Sequence, residues 1–350
     1  MLPETQMDSS SRQPVLVTGA SGFIGRRLVR RLIDGHHRVF CLVRANSSIE
    51  DLRSAGAQPV TGDVTDRGST ERAIIESQAG LVFHLAGLVK AGRRDDLMRV
   101  NVGGVDSVAA SCADRSRPPT LVIVSSLAAA GPNPAAGPRM ERDDPAPVSN
   151  YGRSKLAGES AATAYAGIVP IIIVRPPIVF GPGDRGVLNL FRPIARWGLH
   201  PVPGWADHRL SLIHADDLVE GLTLAAEMAE RLLPLGPTGR GIYFLAGQEN
   251  PTYTELGQAI AVALGRKRAT VLRVPGPLLR LLGISADAVA RIRRNHRGAW
   301  ISTDKITEAL AGSWTCSSDK ARSQLGWSPA ATLAVRLHET ALWYRHMGWL

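Results

Sequence analysis

The sequence predicts an α/β fold: a doubly wound parallel sheet with helices on both faces, followed by a smaller C-terminal lobe. Three observations predict it. Between Pro14 and Ile178, short runs rich in Val, Ile and Leu alternate with segments of helical periodicity. That is the pattern of strands buried on both faces and joined by crossover helices. The first run is followed at once by three glycines, Gly19, Gly22 and Gly25. After Arg175 the alternation stops at a Pro/Gly stretch, Pro176–Arg185 (PPIVFGPGDR), and mixed short elements continue to Leu350.

In chain order, the strands read as Val15–Thr18, Val39–Val43, Gln58–Thr61, Leu81–Leu85, Leu121–Ser125 and Ile171–Arg175. The helices between them read as Phe23–Asp34, Asp66–Ser77, Asp95–Ala113 and Tyr151–Ala166, each with a usable cap. The chain then divides into a polar tail at 1–13, a nucleotide-binding domain at 14–178 and a mainly substrate-binding lobe at 179–350. The lobe is expected over the carboxyl ends of the strands, where such sheets bind ligands. Two of its helices are expected to thread back onto the sheet.

Composition narrows the function. The 350 residues are 44% hydrophobic and 21% charged, which excludes a disordered tail, a collagen-like chain and a coiled coil. The net charge of +10 comes from 36 arginines against 5 lysines, and reads as a bias toward arginine. No zinc-ligand spacing, basic heptad helix or aromatic sheet signature accompanies it, so no nucleic-acid partner is expected. Cys41, Cys112 and Cys316 are an odd number set far apart, so neither disulfides nor a metal site are expected. With a polar start and no run near the ~18 apolar residues of a membrane span, the chain reads as cytoplasmic.

The segment Val15–Gly25 (VLVTGASGFIG) places a glycine loop between a strand and a helix, the arrangement of a Rossmann-type dinucleotide site. Gly19 permits the tight turn, Gly22 lets a phosphate approach the backbone, and Gly25 lets helix pack on strand. The diphosphate would meet the helix N-terminus, with Ser21, Phe23 and Ile24 in the same loop. After the second strand stands Arg44, where NAD-specific proteins tend to have an acid. Arginine suits a 2′-phosphate, so NADP is the expected cofactor, with NAD as the alternative.

Further along, Tyr151-Gly-Arg-Ser-Lys155 opens a helix and puts a phenol and an ammonium on one face. A nearby cation lowers a phenol's pKa and fits it for proton exchange with a hydroxyl or carbonyl. Ser125 and Ser126 end the preceding strand on the ligand-binding side, where a hydroxyl could bond the same substrate oxygen.

Together these stretches resemble the extended branch of the short-chain dehydrogenase/reductase superfamily. TGASGFIG, Asp63-Val64, HLAG at His84–Gly87, SSLAAAG, YGRSK, RPPIVFGPGD, HADDLVEGL and LGW-x-P at Leu325–Pro329 match in order, over nearly the whole chain. The resemblance implies that Asp63, beside Val64, contacts the adenine, and that Leu85, Ala86 and Gly87 lie along the cofactor. Pro176 and Ile178 complete the implied cofactor set. Ser126 is the implied catalytic serine, because the family places it five residues before the glycine matched by Gly131. Tyr151 is the implied proton donor and acceptor, and Lys155 also grips the nicotinamide ribose. Asn101 matches a family asparagine and reads as a brace. Family members often dimerise through the helices at Asp95–Ala113 and Tyr151–Ala166, so a homodimer is expected.

Within the branch, sugar-nucleotide epimerases usually carry an asparagine where this chain has Ile178, and isoleucine gives a diphosphate no hydrogen bond. Around it Leu127, Val187, Leu188, Leu190, Phe191, Trp205 and Leu212 are expected to form an apolar lining. SSLAAAGPNP also resembles the hydroxysteroid-dehydrogenase form of the serine loop. The expected activity is interconversion of a ketone and a secondary alcohol on a lipophilic, steroid- or flavonol-like molecule; a nucleotide-sugar epimerase is the alternative. Leu127 and Ala128 replace the acid pair of dehydratases, so elimination is not expected. His214, Asp216 and Asp217 stand at a helix start, where the carboxylates are expected as caps. Pro275–Trp300, apolar and then bearing Arg291, Arg293, Arg294 and Arg297, reads as a packed helix with a basic outer face or as a weak membrane-surface anchor.

Overall fold

A computed structural model describes residues 13–134, 137–292 and 302–350. The strands are β1 (Val15–Thr18), β2 (Val39–Val43), β3 (Gln58–Thr61), β4 (Leu81–His84), β5 (Thr120–Val124), β6 (Ile171–Arg175), β7 (Ile178–Phe180), β8 (Leu199–Pro203), β9 (Leu212–His214), β10 (Ile242–Phe244) and β11 (Thr270–Val274). Seven of them form one parallel sheet in the order β10-β6-β5-β4-β1-β2-β3. The order reverses between β1 and β4, which is the switch point where open sheets leave a crevice for ligands. Two small parallel pairs, β7 with β9 and β8 with β11, lie beyond the sheet.

Burial on both faces explains the apolar runs. Val15 and Val17 pack on one side with Leu28, Val29 and Leu32 of helix α1 (Phe23–Asp34). Leu16, pointing the other way, packs with Ala73 and Ile74 of one helix and Val105 and Val108 of another. Those two are α3 (Arg67–Ser77), after the short α2 (Glu50–Ser54), and α5 (Gly104–Ala113), after α4 (Arg94–Met98). The expected continuous helix over Asp95–Ala113 is therefore interrupted, by a π-helical turn at Arg99–Gly103. The wider turn carries Asn101, whose buried side chain is bonded to the loop after β4.

Helices α6 (Leu127–Ala130) and α7 (Asn150–Thr163) follow β5, and α8 (Leu188–Trp197) opens the lobe. Next come α9 (Ala215–Met228), α10 (Tyr253–Ala263), α11 (Gly276–Ile292), α12 (Thr303–Leu310), α13 (Asp319–Leu325) and α14 (Leu333–His346). Leu218 and Leu222 of α9, with Ala321 and Leu325 of α13, belong to the same core as β1 and α1. Between them β10 adds the seventh strand beside β6, an element of three residues too short to leave a readable pattern.

Two expectations about this half are corrected. The start of α9 is capped by His214, whose Nδ1 accepts from the Asp216 N–H at 3.4 Å. Asp216 instead pairs with Arg27 at 2.9 Å, and buried Asp217 with Arg336 of α14 at 2.5 Å. Nor is the apolar face of α11 packed: the helix meets α12 along the edge at Gly283 and Asp287, and Leu278, Leu281, Leu282, Ile284 and Val289 are 47%, 60%, 46%, 59% and 46% exposed. Of the arginines assigned to its basic face, the side chain of Arg291 and all of Arg293, Arg294 and Arg297 lie outside the described residues. No described helix is long and apolar enough to cross a membrane.

Candidate active site

At the switch point the glycine loop is built by close approach. Gly19 has φ +70°, and a Cβ there would lie 2.6 Å from the Ala86 nitrogen and 2.7 Å from the Leu85 carbonyl carbon. A Cβ on Gly25 would lie 2.2 Å from the Gly19 carbonyl oxygen. The turn closes on itself and on Leu85–Ala86 only because both positions lack a side chain. Thr18 joins the two strands as well: its hydroxyl is 2.9 Å from His84 Nδ1 and accepts from the Ala86 N–H at 3.3 Å. Burial and the charge of Lys155 push His84 down to about 3, so it stays neutral.

Around this loop, Arg26 of α1 donates to the carbonyls of Ser21 (3.0 Å) and Ser48 (2.9 Å) and pairs with Asp51. It thereby ties the glycine loop to the Arg44–Ser48 turn, in which Arg44 is exposed directly after β2. Sequence reasoning missed Arg26, because one arginine among 36 carries no signal of its own. Asp63, after β3, is fixed by accepting from both the N–H and the hydroxyl of Thr65 at 2.9 Å. Val64 turns its side chain into the core, against Gly104.

The helix carrying Tyr151 and Lys155 is held to the loop after β4 through Asn101. Its Nδ2 donates to the Leu88 carbonyl and to Ser154 Oγ, both at 2.9 Å, and its Oδ1 accepts from the Leu88 N–H at 2.8 Å. The side chain is a brace between the loop after β4 and α7. Gly87 sits beside it, where a Cβ would be 3.1 Å from Asn101 Oδ1 and 3.7 Å from Lys155 Nζ.

The two serines have separate tasks. The Ser125 hydroxyl donates to Glu159, which is paired with Arg175 at 2.6 Å, the two charged side chains being 5% and 2% exposed. Ser126 caps α6 by accepting from the Ala128 N–H at 3.1 Å, and its hydroxyl stands close enough to the Tyr151 phenol to pull that group's pKa down. Helix α7 reaches the serine loop at Gly152, where a Cβ would lie 2.3 Å from the Ala128 carbonyl oxygen. Burial raises the Tyr151 phenol above its usual pKa, while Lys305 of α12 and Ser126 oppose the rise. Lys155 is buried and donates to the Val124 carbonyl at 2.7 Å. Burial pulls its pKa down to about 8, against the opposing charge of Glu159. Glu159 stands one turn after Lys155, so its spacing was readable; its partner Arg175 looked like the plain end of a strand.

Residues 15–235 match the model of the NAD dependent epimerase/dehydratase family. The chain belongs to that family. It is an NAD(P)-dependent short-chain dehydrogenase/reductase of the extended branch, a class acting on CH–OH groups. It is 32% identical to the ceramide reductase of Caulobacter vibrioides over 345 residues, 98% of either chain. It is 27% identical over 284 residues to a 3 beta-hydroxysteroid dehydrogenase/Delta 5-->4-isomerase of Mycobacterium tuberculosis, covering 76% of this chain and 73% of that one. Among solved structures, the dTDP-glucose 4,6-dehydratase of Bacillus anthracis in complex with NAD superposes with a TM-score of 0.72. That pair covers 95% and 97% of the two chains at 20% identity, a likeness of fold.

The residues present fit a dinucleotide. The Cβ-free cradle of Gly19 and Gly25 and the extended N-cap Gly22 leave the first N–H groups of α1 without a side-chain cap among the described residues. Those groups and the positive end of the helix suit a diphosphate. The expected apolar lining is different from what the sequence suggested. Val187, Leu188, Phe191 and Leu212 are buried in the core of the lobe, Leu127 in a small cluster with Phe244 and Cys316, and Trp205 is 72% exposed. Leu190 and Ile178 are half-buried against the lobe core. Hydrophobicity alone did not distinguish a lobe's interior from a binding surface.

Proposed function

We propose that this chain is an NADP(H)-preferring oxidoreductase interconverting a ketone and a secondary alcohol on a lipophilic molecule with steroid-, flavonol- or ceramide-like apolar bulk. The observation that carries the reading is the pair Tyr151 and Lys155, one helical turn apart on α7, with Lys155 Nζ 3.7 Å from the Cβ position of Gly87, next to the Leu85–Ala86 backbone on which the glycine cradle closes. When bound, the nicotinamide supplies or accepts the hydride. Tyr151 holds the proton at Oη and exchanges it with the substrate oxygen, while Ser126 orients that oxygen. Lys155 serves the ribose and the charge balance around the phenol.

Gly19, Ser21, Gly22, Phe23, Ile24 and Gly25 are assigned to the diphosphate, Asp63 and Val64 to the adenine end, and Leu85, Ala86, Gly87, Pro176 and Ile178 to the remaining cofactor contacts. Arg44, exposed directly after β2, favours a 2′-phosphate. Support for a lipophilic substrate comes from Ile178, from the names of the two relatives above, and from the exposed apolar side chains of α11. The same reading takes 14–178 as the cofactor domain and 179–350 as mainly the substrate lobe. It includes a homodimer through α4, α5 and α7 and a cytoplasmic site of action, in keeping with three buried free cysteines.

The test is NADPH consumption against a panel of lipophilic ketones, ceramide- and steroid-like ones included. Activity should fall about 10²–10⁴-fold in Tyr151→Phe. Arg44→Asp should move the NADPH/NADH preference toward NADH. Consumption that survives Tyr151→Phe would refute the assignment of the proton donor, and an unchanged preference would refute that of Arg44.

A further inference from the structure

Helix α12 lies across the start of the helix that carries Tyr151. The Asp304 carboxylate accepts from the backbone N–H groups of Asn150 at 2.6 Å and Tyr151 at 3.1 Å. A separate element thus supplies partners and negative charge to the first turn of α7, where four N–H groups lack intrahelical partners. Glu308 makes a second link: its Oε1 accepts from the Ser149 hydroxyl at 2.5 Å and its Oε2 from Lys305 at 2.7 Å. Lys305 Nζ is thereby held 5.1 Å from the centre of the Tyr151 ring. Lys155 Nζ, by contrast, is held from the sheet side, by one bond to the Val124 carbonyl.

We propose that Lys305, held by Glu308 and brought over the ring by the Asp304 link, is a positioning residue that stabilises the phenolate of Tyr151. The proposal rests on the reading of Tyr151 as proton donor and acceptor. A cation over an aromatic ring favours the form with more negative charge on that ring. The charged and titratable groups around the phenol are Lys155 on its own helix and Asp304, Lys305 and Glu308 on α12, with the neutral Ser126 hydroxyl beside it. Burial and Glu308 push the phenol up; Lys305 and Ser126 pull it down. Glu308, Tyr151 and Asp304 all keep Lys305 itself protonated, so it acts as a fixed charge. In reduction the phenol O–H bond breaks and its proton passes to the substrate oxygen; Lys305 keeps its own proton throughout. The position lies 154 residues beyond Tyr151 on another helix, which is why no local spacing in the sequence announces it.

The protein has five tyrosines, so the phenol can be titrated directly by NMR of ¹³Cζ-labelled tyrosine, with Tyr151→Phe identifying its resonance. Lys305→Met should raise the Tyr151 pKa by ~1 unit, and Lys305→Arg should return it close to the original value. Lys305→Gln keeps a donor for Glu308 without the charge and should show the same rise, which covers the case that the Met variant does not fold. An unmoved titration in the folded Met or Gln variant would overturn the proposal, as would equal shifts in the Arg and Gln variants. With a ketone that supports turnover, the alkaline limb of its reduction, where the phenol must still hold its proton, should move up by the same amount. The titration needs no substrate: a shifted phenol without turnover of any ketone would sink the reductase reading, and turnover with an unshifted phenol would sink only the role of Lys305.

Discussion

Ser125 and Ser126 differ by one position and face different fates, because successive residues leaving a strand point to opposite sides. Ser125 is committed to the buried Glu159–Arg175 pair, and Ser126 to the start of α6 beside the phenol. Ser126→Ala should therefore cost catalysis on the order of 10²-fold, besides about 0.5–2 kcal/mol of stability for the lost cap of α6. Ser125→Ala should spare the proton transfer and act on stability alone, losing about 1–3 kcal/mol by leaving a buried carboxylate short of a partner. Turnover and melting of the two variants check both statements. Lys155 carries a further prediction. Its pKa of about 8 in the fold, against an ordinary 10.5, means that the fold disfavours its charge. That cost is present in full below pH 8 and relieved between about 8 and 10.5, so this residue makes stability rise with pH across that window. Lys155→Met should raise stability at pH 7, by on the order of 3 kcal/mol less the lost bond to Val124, while weakening activity. Denaturant unfolding at pH 7 and pH 10 would show the advantage shrinking as pH rises; a variant less stable than the parent at pH 7 contradicts the account.

At the scale of elements, the helix carrying Tyr151 was legible from its spacing, but what positions it was not. Its approach to the serine loop depends on the missing side chain of Gly152, and its first turn is served by Asp304 from α12. Both are contacts between segments far apart in the chain, invisible to periodicity. The same limit explains the start of α9, where acidic residues at a helix N-terminus looked like caps. Tertiary partners, Arg27 for Asp216 and Arg336 for Asp217, claimed the carboxylates, and His214 became the cap. The π-turn at Asn101 follows the same logic, since a side chain bonded on both edges to Leu88 overrides regular helix. Helix α11 leads to a prediction of its own. Its exposed leucines adjoin α12, because Gly283 packs on Ile306 and Asp287 accepts from the Thr303 N–H at 3.0 Å. A membrane contact that collects an apolar substrate would use this face. The protein should then co-sediment with anionic liposomes at low salt, and Leu281→Glu with Ile284→Glu should abolish that. Absence of any co-sedimentation at low salt would dismiss the contact.

For the molecule as a whole, the parallel sheet and its glycine loop were readable because they rest on local pattern: continuous apolar runs, glycines at a turn, and alternation with helices. Strand β10 escaped because three residues cannot show a period, and the lobe's interior was taken for a lining because burial and binding draw on the same residue types. What the whole arrangement brings to the switch point is a Cβ-free glycine loop, a buried phenol under Lys305 and a serine, which the proposed function takes as the dinucleotide cradle, the proton donor and the orienting group. Net oxidoreduction is the central claim drawn from it. The most direct test supplies NADPH deuterated at C4, on each face in turn, with a ketone from the panel, and follows substrate and cofactor by mass spectrometry. The account predicts one deuterium on the carbinol carbon of the product from one of the two labelled forms, with one NADP formed per alcohol. A product isomeric with its substrate, carrying no deuterium and leaving the cofactor pool unchanged, would contradict it and assign the chain to epimerisation.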